Sequence, residues 1–334
     1  MKDPIQPPFR LSARNGEEIS LRPSRLAEFI GQERVTSNLN VFIQASLKRG
    51  DPLDHVLFYG PPGLGKTTLA HIIAQEMKSN IRFLSGPSLS RAGDLASILT
   101  SISPLDVVFI DEIHRLPPAC EEILYGAMED FSLDIVVGKG PGARSIRISL
   151  PPFTLVGATT RVSLLSSPLR SRFGIVEKLD FYREEELAAI VTRTAQVMDI
   201  NLLPEGAREI ACRSRGTPRV ANRLLKRVRD FAQYFKKEVI DLVVVKEAFQ
   251  CLEIDALGLT PLDRKFLQVL VEVYRGGPVG IQTLAVVLGE EAASLEEMYE
   301  PFLVKAGFLA RTPRGRVATP RGRKYVLEMV RSEG

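Results

Sequence analysis

Cysteine is scarce in this chain: its 334 residues hold 3, Cys120, Cys212 and Cys251, far apart and without a C-x-x-C pair. That argues against a disulfide framework and a cysteine-built zinc site, and it fits a reducing compartment. The 3 histidines, His55, His71 and His114, lack ligand spacing, so each reads as a packed or surface side chain and no zinc is implied. No apolar run approaches the ~18 residues needed to cross a bilayer. Met1–Arg10 carries Asp3, prolines at 4, 7 and 8, and none of the apolar core of a signal peptide. The expectation is a soluble cytoplasmic protein with no membrane partner. Charge of one sign is lacking too, since 44 basic against 40 acidic residues leave +4. Any nucleic-acid contact must therefore come from local clustering. Neither an internal repeat nor a low-complexity tract occurs.

What is present suits two or three domains with real cores, at 45% apolar and 25% charged residues. Short apolar runs at His55–Tyr59, Ile81–Ser85, Val107–Ile110, Thr154–Ala158 and Ile175–Phe181 are separated by helix-length stretches. That alternation predicts a parallel sheet in an α/β domain. Between the third and fourth runs, Leu133–Gly138 and Arg144–Leu150 flank Lys139-Gly140-Pro141-Gly142, the pattern of a hairpin. Beyond Tyr182 the spacing turns helical over Glu184–Met198, Glu205–Ser214, Arg219–Phe235 and Val243–Glu253. A third segment opens near Asp255, with a helix over Asp263–Tyr274, a break at Gly276-Gly277-Pro278, and two short helical runs around Gly289. Two short strands then flank Pro313-Arg314-Gly315.

The strongest chemical signal is Gly60-Pro61-Pro62-Gly63-Leu64-Gly65-Lys66-Thr67, directly after the first strand. Glycines let backbone N–H groups curl around phosphate oxygens, and the following helix points its positive end at them. Lys66 is placed to reach the β- and γ-phosphates and Thr67 to hold Mg²⁺, which makes ATP and Mg²⁺ the expected cofactors. Val107–Ile110 ends in Asp111 and Glu112, 45 residues beyond Lys66. Asp111 can bind Mg²⁺, and Glu112 can polarise a water for attack on the γ-phosphate.

The text around these motifs resembles the RuvB family of AAA+ ATPases, hexameric motors that migrate Holliday junctions. The likeness includes Leu21-Arg22-Pro23, Gly31-Gln32-Glu33, Asp54–Ala70, Asp111–Leu116 and Met128–Phe131. It continues through Gly157–Arg161, Ser167–Gly174, Arg215–Arg219 and Arg311–Arg316, leaving only the first twenty residues outside it. The resemblance implies an arginine finger acting from a neighbouring subunit at Arg172, with Arg170 as rival, and a γ-phosphate sensor at Arg219. It implies a second sensor at Thr159, with Thr160 adjacent. It also assigns Leu21, Arg22, Ile30, Gly63, Gly65, Thr68, Glu129, Asp130, Phe131 and Tyr182 to the surroundings of the nucleotide. Two departures stand out: Val162-Ser163 where small residues are commoner, and Ser171 where Asp is commoner.

The resemblance divides the chain into a large ATPase domain (1–182), a small helical lid (183–254) and a winged-helix head (255–334). Lys305–Lys324 holds 7 Lys or Arg and no acid. Arg311, Arg314 and Arg316 stand on the turn of the wing, while Glu296, Glu297 and Glu300 on the preceding helix would repel phosphates. The wing is thus the expected DNA contact, to backbone rather than bases. Arg208–Lys237, with 10 Lys or Arg against 2 acids, is a second basic stretch, read chiefly as ATPase-interface and helix-surface charge. On the hairpin, Ile146 and Ile148 alternate with polar residues, a docking face that the resemblance gives to RuvA; RuvC follows as a further partner. The function expected is an ATP-driven translocase that migrates Holliday junctions during recombination and repair. A clamp-loader-like or protein-remodelling ATPase is the alternative, and the C-terminal winged helix discriminates against both.

Overall fold

The computed structural model describes residues 21–137 and 144–333. The hairpin turn at residues 139–142 and the first twenty residues lie outside them. The described residues divide into two compact units, one drawn from positions up to 60 and from 65–180, the other from 61–64 and from 181 onward.

The first unit is built on five strands: β1 (Val56–Tyr59), β2 (Ile81–Ser85), β3 (Val107–Asp111), β6 (Thr154–Thr159) and β7 (Ile175–Lys178). They pair in parallel in the order β2-β3-β6-β1-β7. All six residues of β6 are buried, as expected of a central strand covered on both faces. The crossovers are α1 (Glu33–Arg49) before β1, then α2 (Lys66–Glu76), α3 (Ala92–Thr100), α4 (Pro118–Glu129) and the short α5 (Ser167–Ser171). β4 (Ser132–Val137) and β5 (Arg144–Ser149) form the antiparallel hairpin, with Leu133 opposite Ile148 and Ile135 opposite Ile146. β7 is shorter than its apolar run. Past Lys178 the Leu179 amide still bonds the Tyr59 carbonyl, at 2.9 Å.

His55 is a packed histidine, 8% exposed. Its Nε2 lies 3.0 Å from the Met128 carbonyl oxygen, and its Nδ1 accepts the Leu155 N–H at 2.9 Å. A neutral ring protonated on Nε2 satisfies both. Burial holds its pKa below the ordinary 6.5, against smaller upward pushes from the Met128 carbonyl and Asp54. The unfolded chain therefore takes up this proton at a higher pH than the folded one. The stability that the neutral ring contributes is present above pH 6.5 and is lost as pH falls through the depressed folded value. Urea midpoints should fall between about pH 7 and about pH 5.5, and should fall less for His55→Gln. Parallel slopes for parent and variant would place the acid sensitivity elsewhere.

The second unit holds four lid helices: α6 (Glu184–Val197), α7 (Pro204–Cys212), α8 (Pro218–Tyr234) and α9 (Leu242–Cys251). Proline at the first turn of α7 and of α8 starts each helix without losing a needed donor. The head follows with α10 (Pro261–Gln268), α11 (Ile281–Leu288), α12 (Ala292–Ser294), α13 (Glu300–Lys305), the wing strands β8 (Leu309–Thr312) and β9 (Gly315–Ala318), and α14 (Pro320–Glu333). Two π-helical segments, Val269–Val273 and Leu295–Tyr299, interrupt runs that a 3.6-residue period reads as plain helix. Phe266, Leu270, Leu284, Leu303 and Phe308 are among the buried side chains of the head's own core.

Candidate active site

In the first unit, β1 and β3 lie on either side of β6, so Tyr59, Asp111 and Thr159 end three neighbouring parallel strands on one edge. Open parallel sheets bind their ligands at that edge. The chain leaves β1 through Gly60 (φ 142°) and enters α2 after Gly65 (φ 104°), backbone that side chains resist. A Cβ on Gly60 would collide with the Leu179 carbonyl oxygen. Lys66 is buried, and its Nζ donates to the Gly60 carbonyl at 2.7 Å. Burial pushes its ammonium down to about 8, opposed by the Asp111 and Glu112 carboxylates. A cation so desolvated gains strongly from phosphate oxygens. Thr67 and Thr68 follow on the first turn of the same helix.

Asp111 ends β3, and its Oδ1 accepts the Glu112 N–H at 2.9 Å. Glu112 then turns with a left-handed φ of 48°, and its carboxylate meets Arg115 at 3.1 Å. The donors fit a magnesium nucleotide: the Thr67 hydroxyl and Asp111 carboxylate are hard oxygens. Among the described residues no cluster of three or more His, Cys, Asp or Glu could cage a metal, and Mg²⁺ ordinarily takes one or two carboxylates plus phosphates. Thr159 is buried; its Oγ1 lies 2.9 Å from His114 Nδ1 and accepts the Arg161 N–H at 3.0 Å, whereas Thr160 is exposed.

Leu21, Arg22 and Ile30 are half-buried on the segment entering α1. This segment is tied to α2 by the Leu26 N–H on Glu76 (3.0 Å), and to the end of β7 by Gln32 on the Asp180 carbonyl (2.6 Å). Glu129, Asp130 and Phe131 have other partners than the phosphate loop. Glu129 pairs with Arg172 and Asp130 with Arg147, each at 2.7 Å, while the Phe131 ring meets His55 and Phe153 edge-on. The Arg172 guanidinium also donates to the Pro168 carbonyl at 2.8 Å and lies over the Tyr125 ring. Its buried Nε has no hydrogen-bond partner among the described residues. Arg170, exposed, makes no ion pair among the described residues.

In the second unit, the Gly63 carbonyl accepts the Arg219 N–H at 3.3 Å, and a Cβ on Gly63 would approach the Arg219 Cβ to 2.9 Å. The Arg219 side chain is exposed on the first turn of α8. The buried Tyr182 donates its hydroxyl to the Leu64 carbonyl at 3.1 Å.

The wing differs from the simple picture of three free cations. Glu300 is fully buried, held by both Arg311 and Arg316, and Arg316 also reaches Glu296 at 2.7 Å. Arg316 is only 15% exposed and Arg311 54%. Arg314, at the tip, is exposed. The acids on the helix before the wing therefore fasten it. On the hairpin, Ile146 is exposed while Ile148 packs against the core of the first unit, so the two isoleucines do not form one free face. Much of the basic stretch is committed to partners: Arg213 to Glu209, Arg215 to Asp263, and Arg227 and Arg229 to Asp230.

Three family models match the chain: the Holliday junction DNA helicase RuvB P-loop domain over residues 21–179, the RuvB AAA lid domain over 182–255, and the RuvB C-terminal winged helix domain over 256–327. Thermotoga maritima RuvB, a solved Holliday junction branch migration motor, is 54% identical, covering 92% of this chain and 98% of that chain at a TM-score of 0.84. Two mutant forms of the same protein match at 54% identity and equal coverage, with a TM-score of 0.85. The chain belongs to the RuvB family. It is a P-loop ATPase of the Holliday-junction branch-migration class.

Sequence reasoning missed three pairings. His114 reads as an isolated histidine, yet it is the partner of Thr159. Glu300 reads as a repulsive acid, yet it is the counter-charge of the wing. Glu129, which the resemblance assigns to the surroundings of the nucleotide, is the partner of Arg172. Each pairing joins residues far apart in sequence, so local spacing carried no signal for it.

Proposed function

We propose that this protein hydrolyses Mg·ATP at sites completed between subunits of a homo-hexamer, and so drives duplex arms of a Holliday junction through the ring. The observation that carries the reading is the single sheet edge where the phosphate loop, Asp111–Glu112 and Thr159 meet. Lys66 would bind β- and γ-phosphate oxygens, and Thr67 with Asp111 would hold Mg²⁺, which would supply neutralising charge for the transferred phosphoryl group. Gly63 and Gly65 keep the loop open to backbone contacts. Glu112 accepts a proton from the attacking water. Thr159, oriented by His114, senses the γ-phosphate, and Arg219 does so from the lid. Leu21, Arg22, Ile30, Thr68 and Tyr182 border the same nucleotide. Arg172, held by Glu129 with Asp130 and Phe131 next to it in the chain, serves the neighbour's nucleotide. RuvA docks on the hairpin through Ile146, with Ile148 anchoring the strand beneath, and RuvC joins the assembly; the setting is cytoplasmic. Junction DNA should raise ATP turnover, and RuvA should raise it further. A turnover indifferent to junction DNA would remove the translocase reading.

The wing supplies a second expectation. Arg314 offers a clean phosphate contact, with Arg311 beside it. Arg314→Ala should lower affinity equally for unrelated duplexes and reduce the log–log salt slope by about 0.9. Basal hydrolysis should not change. Arg316→Ala is a different experiment, because it also takes one of two cations from the buried Glu300. Breaking a buried pair costs about 3–5 kcal/mol, and since Arg311 remains, a loss of about 3 kcal/mol or less is expected. Salt titrations on two duplexes of different composition, with melting curves, separate the two effects. Sequence-dependent loss in Arg314→Ala would mean that the wing reads bases.

A further inference from the structure

The lid and the head meet at a buried ion pair four residues before Arg219. Arg215 ends the turn after α7 in a left-handed conformation (φ 56°), followed by Gly216 (φ 74°) and by Thr217, the cap of α8. Its side chain is 10% exposed, and the guanidinium pairs through both terminal nitrogens with Asp263, whose side chain is 0% exposed. Its Nε donates to the Gly258 carbonyl at 2.9 Å, and its face lies 4.9 Å from the centre of the Phe302 ring. One side chain of the lid thus grips the head at its connecting segment, its first helix and α13. Asp263 is itself fixed, because it accepts the Thr260 N–H at 2.7 Å and the Thr260 hydroxyl, closing the capping box of α10.

The other end of the same short segment is tied to the phosphate loop. The Gly216 carbonyl accepts the Tyr182 N–H at 2.9 Å, and Tyr182 in turn bonds Leu64. The Arg219 N–H bonds Gly63. Residues 61–64, the lid and the head fall in one compact unit. Residues 215–219 are therefore a short covalent bridge with the loop apex fastened to one end and the winged helix to the other.

We propose that Arg215 is the positioning residue that makes the head follow the lid, so that a change at the phosphate loop reaches DNA as displacement. Arg215 lies outside the phosphate loop and the wing, and its contacts are to Asp263, Gly258 and Phe302. A buried ion pair is weak evidence of stabilisation, since apolar replacements of similar volume are often neutral. What a two-pronged, ring-stacked arginine adds is direction. A head freed of it would turn on its connection while the lid moves, and ATP would be spent without moving the junction.

The test uses the full-length protein with junction DNA and reads junctions migrated per ATP hydrolysed. The informative variant is Arg215→Met combined with Asp263→Asn. Met keeps the stem packed on Phe302, Asn keeps an oxygen for Thr260, and no charge is stranded. Melting temperature should hold, and basal hydrolysis and duplex affinity should stay within about two-fold of the parent, as for a paired replacement of a buried ion pair. Junctions migrated per ATP should drop about ten-fold, within the usual range of coupling between sites. Arg215→Lys should recover part of the loss, because an ammonium can still pair with Asp263. Unchanged yield per ATP in the double variant would overturn the proposal. So would basal hydrolysis and melting that decline in step with migration, which is the mark of a merely structural residue. The inference rests on the motor reading: a parent that migrates no junctions removes both, whereas a migrating parent beside an equally coupled variant removes only the inference.

Discussion

Glu112→Gln is expected to keep nucleotide affinity within about two-fold of the parent and to lower hydrolysis by about 10²–10⁴-fold, the usual worth of a positioned general base. The amide keeps the shape of the carboxylate and can still meet Arg115, which lies 3.1 Å from the Glu112 carboxylate. What it loses is the ability to take a proton from water as the γ-phosphoryl group departs. The backbone supports the assignment, because β3 delivers Asp111 at the sheet edge and the left-handed turn at Glu112 follows at once. Lys66→Ala makes the contrasting case. It removes the buried cation that sits on the Gly60 carbonyl, so binding itself should weaken. Equilibrium titration with a fluorescent nucleotide, beside phosphate release on the same preparations, distinguishes the two. Near-parent hydrolysis by Glu112→Gln would require another base.

Mixing two inactive chains, Arg172→Ala and Lys66→Ala, is expected to restore part of the activity. Each mixed ring would contain interfaces where an intact phosphate loop faces an intact finger. Arginine fingers contribute roughly 10³–10⁵-fold in related phosphoryl-transfer enzymes, so even a small fraction of repaired interfaces should be measurable. Within its own chain Arg172 is held by Glu129 and the Pro168 carbonyl over the Tyr125 ring. Insertion toward a neighbour's γ-phosphate must exchange the Glu129 carboxylate for phosphate oxygens, a trade between two anions and therefore a modest one. Arg170→Ala should leave more activity than Arg172→Ala. If mixed rings form, as judged by co-purification of two tags, and no activity returns, the finger does not act in trans. Full activity of Arg172→Ala alone would give the role to Arg170.

The phosphate loop, the strand ending in Asp111–Glu112 and the alternation of strands with helices were legible without coordinates. Each is written in contiguous residues: glycines at fixed spacing, an apolar run closed by carboxylates, a period that switches from strand to helix. The order β2-β3-β6-β1-β7 was not legible, because a run of apolar residues records that a strand is buried and not which strand lies beside it. The interrupted helices of the head were misread as regular for a similar reason, since a π-helical segment shifts the face of the helix without changing its composition.

Charge was where sequence alone misled. Arg316, Glu296 and Glu300 look like exposed groups of opposite sign on neighbouring elements, and the inference of repulsion from DNA followed from that. The fold brings them together, buries Glu300 and makes the wing depend on it. Arg215 opens a recognisable stretch, Arg215–Arg219, but nothing in that stretch points to Asp263, 48 residues on, with which it forms a buried pair. Local sequence determines the chemistry a residue offers and the element that presents it. Which charge is spent internally and which is left for a ligand depends on contacts between residues distant in the chain, and only the tertiary structure decides that.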